Sequence, residues 1–223
     1  MTQVPEFKRF RKVVDHISKK RDKVLIETLY LTASRVSEIV TKVGAYDLEH
    51  GKSKAYGKHL NWQLADFQVN REKNERVLLI TEAIAKRKLK TKRDKERGYI
   101  PKTIALPVMP VYEPFTKDLL EWIRDYGNLS FNLGRTRVWQ IVKTHLRDLD
   151  PKVKTHSLRR WRLNHLVTEY KFDPYDLAVY AGWSVKHSFG VVGMSVSPHQ
   201  DAYMHNAWRR YFPKLLKPFK IAI

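Results

Sequence analysis

The apolar residues of this chain keep two different periods, and the switch between them restricts the folds open to it more than any other feature. Near the N-terminus Phe7, Phe10, Val14 and Ile17 recur at helical spacing, and Leu25, Leu29, Thr32, Val36, Ile39 and Val40 repeat the pattern in a second helix. The run "RVLLITEAIAKRK" (76–88) and the segment "KTIALPV" (102–108) read instead as strands, rich in β-branched residues and joined by the charged stretch "LKTKRDKERGYIP". A hairpin with a basic tip is expected there. Helical spacing returns with Phe115, Leu119, Trp122 and Ile123, then with Val138, Ile141, Val142 and Leu146. The two periods place side chains on faces in incompatible ways, so the expected fold is mixed, mostly α with a small antiparallel β-sheet or hairpin. The stretch 43–58 has three glycines and no period and is expected to be a loop.

Two later helices carry their own end signals. In "FDPYDLAVYAGW" Asp173 suits the N-cap, Pro174 the first helical position and Gly182 the residue past the end, which leaves Trp183 at the helix exit. In "SPHQDAYMHNAWRRYFP" Ser197 and Gln200 have capping-box spacing, Pro198 fits the first turn and Pro213 is expected to close the helix. Met204, Trp208 and Tyr211 then form one apolar stripe, while Tyr203 lies about 100° from Met204 around the axis. Tyr211 reads as structural and Tyr203 as free. Tyr170, Tyr175 and Tyr180 read as packing residues, and five of the six tryptophans as core.

Charge decides the class of partner. The 223 residues carry 43 Lys+Arg against 23 Asp+Glu, a net charge of +20, with the basic residues spread along the chain. Such a field favours a polyanion. The alternative on charge alone is a basic soluble protein or a ribosome-associated one. No run of 18 apolar residues occurs and the N-terminus lacks the apolar core of a signal peptide, so a cytoplasmic protein without membrane contact is expected. The absence of cysteine removes disulfides, thiol nucleophiles and thiolate-bound metal. His187, His199 and His205 show no firm ligand spacing, so no metal site is expected.

Within "KTHSLRRWRLNHL" (154–166), His156 and Arg159 stand three positions apart on what reads as a helix's first turn, where backbone N–H groups already favour an anion. They make a phosphate seat. Upstream, "LTASRVSEIV" supplies Arg35, read as standing beside the apolar stripe of its helix, with Glu38 one turn on to hold the guanidinium.

With these boxes in order, the chain resembles the catalytic domain of the tyrosine recombinases, the phage-integrase-like family, over roughly residues 5 to 212. "SRVSEI" resembles the family's first arginine box, "HSLRR" its His-x-Leu-Arg box, "YAGW" its Leu-Gly-His/Trp box, and "AYMH" its nucleophile segment. The resemblance implies a tyrosine recombinase catalytic-domain fold at 1–212, followed by a tail at 213–223. It also implies a site-specific recombinase or integrase of mobile elements that cleaves and rejoins double-stranded DNA through a covalent 3′-phosphotyrosyl intermediate. In that reading Tyr203 is the nucleophile, Arg35 and Arg159 clamp the phosphate, and His156 bonds it and helps accept the phenol proton. Trp183 supplies an indole N–H or packs beneath, and Glu38 supports Arg35. Guanidinium pairs suit the charge that builds on non-bridging oxygens during such an attack. Neither metal nor cofactor is implied.

The resemblance also implies a lysine general acid on the hairpin. Lys86 is the first choice, with Lys88 next; Lys88, Lys90, Lys92 and Arg160 are otherwise expected to contact DNA. Two departures stand out: Arg35 comes so early in these 223 residues that no N-terminal core-binding domain is expected within them, and the interval from Trp183 to Tyr203 is long. A partner domain or protein supplying the missing clamp, and self-association on DNA, are expected accordingly. Two other readings share these residues: a non-catalytic DNA-binding remnant, and a type IB topoisomerase-like relaxing enzyme.

Overall fold

The computed structural model describes residues 3–39, 60–83, 101–127, 129, 131, 133–182 and 207–217. The chain divides into two compact units, residues 1–60 with 118–165 and residues 61–117 with 166–223. Among the described residues the architecture is mixed, helices with a small antiparallel sheet, as the two periods require.

The first unit is helical. It holds α1 (Phe7–Asp15), α2 (Lys20–Leu31), α3 (Val36–Ile39), most of α4 (Thr116–Tyr126), α5 (Arg135–Leu146) and the start of α6 (Thr155–Thr168). Phe10, Val14, Leu25, Leu29, Val138, Val142, Leu158 and Trp161 are fully buried. The Phe10 ring lies 4.6 Å from Tyr30 and 5.6 Å from Trp161, centroid to centroid. Each such side chain contributes about 1.5–3 kcal/mol of apolar burial. The segment ahead of α1 is fastened to α6, where Trp161 Nε1 donates to the Gln3 carbonyl at 2.8 Å and His165 Nε2 lies 2.8 Å from that of Pro5. A carbonyl only accepts, so the His165 proton sits on Nε2, and Nδ1 accepts from the Tyr30 hydroxyl at 2.7 Å.

The predicted second helix is two. α2 stops at Leu31, and Ala33 adopts φ 48, a left-handed conformation that no α-helix can pass through. The chain restarts as α3, and Arg35 therefore lies in the turn instead of beside the stripe of a continuous helix.

The second unit is built on the sheet β1 (Asn61–Gln68), β2 (Asn74–Ala83) and β3 (Pro101–Pro107), in that spatial order. Two strands were expected. β1 escapes sequence reading because its first four residues are exposed, so it shows no buried face to betray a strand. Its register sets Leu64 opposite Leu78, which faces Leu106 on β3. α7 (Pro174–Ala181) has the ends its sequence announces: Asp173 accepts from the Asp176 N–H at 2.9 Å, and Gly182 takes φ 67.

α8 (Trp208–Leu215) docks on β3, where the Tyr211 hydroxyl accepts the Ala105 N–H at 3.0 Å; Tyr211 is fully buried. Pro213, expected to close the helix, lies inside α8, which runs on to Leu215. Burial of Phe212 and Leu215 outweighs the single backbone bond that a proline removes. Other expectations also need correction. Trp62 and Trp139 are exposed and not core, and Tyr175 is exposed with the Arg210 guanidinium 4.5 Å above its ring. Among the described residues no helix is long and apolar enough to cross a membrane.

Candidate active site

The first unit contains both arginines, the histidine and the glutamate singled out in the sequence. α6 begins at Thr155 because its first turn closes on itself: the Ser157 N–H donates to the Lys154 carbonyl at 2.8 Å, and the Ser157 hydroxyl accepts the Lys154 N–H at 3.0 Å. That start puts His156 at the second helical position, exposed, and Arg159 one turn on, nearly buried. Arg160 follows half-buried on the same helix.

Arg35 is held at two points by one carboxylate. Its backbone N–H donates to Glu38 Oε2 at 2.6 Å, and its Nη1 to Glu38 Oε1 at 3.0 Å. The Glu38 side chain is buried while that of Arg35 is 38% exposed, so the carboxylate anchors a guanidinium that still meets water. Arg159 Nη1 reaches into the same turn and donates to the Ala33 carbonyl. His156 is open to solvent on one side, yet its pKa lies below the ordinary 6.5: desolvation by the protein around the ring comes first, then the charge of Arg159, then that of Arg35. At neutral pH the imidazole is uncharged and able to take a proton. Two cations and a neutral base thus surround the N-terminal turn of a 14-residue helix, an arrangement suited to an oxyanion with a proton to shed.

α5, in the same unit, presents a second cationic feature. Arg135, Trp139, Lys143 and Arg147 follow one another at intervals of four along its exposed side, Arg147 just past the last turn. None of the 12 residues of α5 is acidic. Lys143 Nζ sits 5.1 Å over the Trp139 ring, which is 41% exposed.

Lys86, Lys88, Lys90, Lys92, Trp183 and Tyr203 lie outside the described residues, as do Met204 and the three histidines 187, 199 and 205. Sequence reasoning passed over two residues. Ala33 carries no signal, because it sits inside a pattern that reads as one continuous helix. Lys102, read only as the start of a strand, is 7% exposed, with Nζ 5.9 Å from the Tyr180 ring centroid and its chain against Gly182, where the C-terminal end of α7 favours a cation. A lysine at the start of a mostly apolar strand was the available signal.

Compared with known proteins, the chain matches no family model, no curated protein and no solved structure.

Proposed function

We propose that this protein is a site-specific DNA recombinase or integrase of the tyrosine class, acting in the cytoplasm on double-stranded DNA and self-associating there. The observation that carries the reading is the grouping of Arg35, Arg159 and His156 about the first turn of α6, with Glu38 fixing Arg35. The cationic side of α5 and the net charge of +20 agree with a DNA partner.

In the proposed reaction the Tyr203 phenol oxygen attacks a backbone phosphorus, and its proton passes to neutral His156. The bond from phosphorus to O5′ breaks, and O5′ leaves with a proton from a hairpin lysine, Lys86 in first place. The arginines donate to the two non-bridging oxygens, whose charge peaks in the transition state. The product is a 3′-phosphotyrosine, which keeps the energy of the phosphodiester, and attack by another strand's 5′ hydroxyl reverses the step.

A nicked suicide duplex incubated with wild type, Tyr203→Phe and Tyr211→Phe, then run on a denaturing gel, tests the reading. A covalent adduct lost only in Tyr203→Phe is expected. Wild-type binding that weakens with salt but yields no adduct on nicked or supercoiled substrates would move the assignment to a DNA-binding remnant. Relaxation of supercoils by the monomer without strand exchange would move it to the topoisomerase-like enzyme.

A further inference from the structure

We propose that Ala33 is a positioning residue: its left-handed turn aims its carbonyl oxygen at Arg159 Nη1 and so orients the guanidinium that, with Arg35 and His156, receives the phosphate. The inference rests on the phosphate-site reading above and adds the backbone element that sets it.

Alanine at φ 48 is strained, because its Cβ crowds the following carbonyl, and a residue stays there only where its surroundings over-determine it. Here they do. The Thr32 hydroxyl donates to the Thr28 carbonyl at 2.6 Å, the Ser34 hydroxyl donates to Thr32 Oγ1, and the Ala33 N–H donates to the Tyr30 carbonyl at 3.0 Å. On the far side Glu38 grips the backbone and the side chain of Arg35. Had α2 run on, the Ala33 carbonyl would have pointed along the helix axis to the N–H four residues ahead. The left-handed turn takes it out of that ladder, and it accepts from Arg159 across 126 residues of sequence. Ala33 is fully buried and Arg159 only 4% exposed. A planar guanidinium with one N–H committed to a rigid backbone acceptor has its plane restricted, and paired donation to phosphate depends on that plane. The Ala33 turn thereby orients Arg159, while Glu38 on α3 holds Arg35.

Sulfate serves as the probe, since its charge is constant near neutrality, with affinity read by calorimetry on the full chain. NMR titration of the His156 imidazole gives a second readout, because, after the loss of water around the ring, the charge of Arg159 is what holds its midpoint down. Glycine reaches positive φ freely, so Ala33→Gly should stay within about twofold of wild type in sulfate affinity and keep the His156 midpoint. Ala33→Val, whose β-branch disfavours the turn, should bind sulfate about fivefold or more weakly and titrate His156 at higher pH, the size expected for a lost oriented hydrogen bond. A variant that only loosened the fold would lower the melting temperature without that upward shift. If Ala33→Val does not fold, Ser34→Ala decides, since it keeps Ala33 and removes one brace; weaker sulfate binding with a raised midpoint is expected. Wild-type affinity and midpoint in a folded Ala33→Val, or in Ser34→Ala where valine fails to fold, would overturn the proposal. Neither readout involves DNA, so a wild type that forms no covalent adduct overturns the recombinase reading alone. A wild type that binds no sulfate overturns the anion site, and the His156 midpoint still shows whether Ala33 holds Arg159.

Discussion

His156 and Glu27 show how burial and neighbouring charge reassign protons. His156 is held below 6.5 by desolvation of its ring and by the charges of Arg159 and Arg35, so it is neutral at pH 7 with no anion bound. A bound anion favours the imidazolium, and sulfate affinity should therefore rise as pH falls through the His156 midpoint, with a flat profile in His156→Gln; calorimetry between roughly pH 5 and 8 reads this. Glu27 moves the other way. It is fully buried on α2, and burial followed by the negative charge of Asp118 pushes its carboxyl up to about 10. Lys23 lies 3.9 Å from Glu27 but is engaged with Asp118 at 2.7 Å, and its pull is the smaller. A folded-state value raised above 4.5 means the native state keeps a proton that the unfolded chain has released. The associated stability is present below 4.5 and is lost as pH rises through 10. Glu27→Gln removes this dependence, and its stabilisation over wild type, measured by urea midpoints, should grow between about pH 5 and 9.

Among the elements, α7 and α8 are joined by charge as well as by apolar contact. Arg210 donates to Asp176 at 2.8 Å and to Asp173 at 3.0 Å, and Lys214 bonds both carboxylates. Burial alone would raise the Asp173 carboxyl, but the Asp176 N–H, Lys214 and Arg210 outweigh it and hold that carboxyl well below the usual range. This contribution is present above the unfolded value and fades as pH falls through the folded one. Asp176 is fully buried while its partners reach water. Asp176→Ala should therefore cost about 1–3 kcal/mol in thermal or urea unfolding, less than the loss of a wholly buried pair. If the proposed DNA partner is right, the Lys143→Ala/Arg147→Ala pair on α5 should weaken DNA binding regardless of sequence and reduce the slope of log K against log salt by about 2, which fluorescence anisotropy at several salt concentrations measures. An unchanged slope would remove α5 from the DNA-facing surface.

For the molecule as a whole, the net charge of +20 and the ordered boxes could be read without coordinates, because charge count and motif spacing are properties of the chain itself. The helices at both ends, the antiparallel strands, the caps of α7 and the buried Tyr211 followed from period and end signals, which local sterics enforce. The Arg35–Glu38 pair was equally legible, since i,i+3 neighbours meet on any turn of this kind. Other features depended on partners distant in sequence. The break at Ala33 was hidden because "LTASRVSEIV" is a plausible helix by pattern, and the left-handed turn persists through contacts with Thr28, Glu38 and Arg159. Pro213 reads as a terminator, yet α8 continues because Phe212 and Leu215 find buried seats. β1 has too exposed a face to be recognised alone and forms only against β2. The sequence by itself determined which elements form and which chemical groups the chain possesses, since propensity, period and charge act over a few residues. Only the tertiary structure decided where those elements break and what each buried group faces: that Arg159 meets the Ala33 carbonyl and that Glu27 is pressed toward Asp118. Those outcomes depend on burial and on contacts between residues far apart in the chain, which no local window contains.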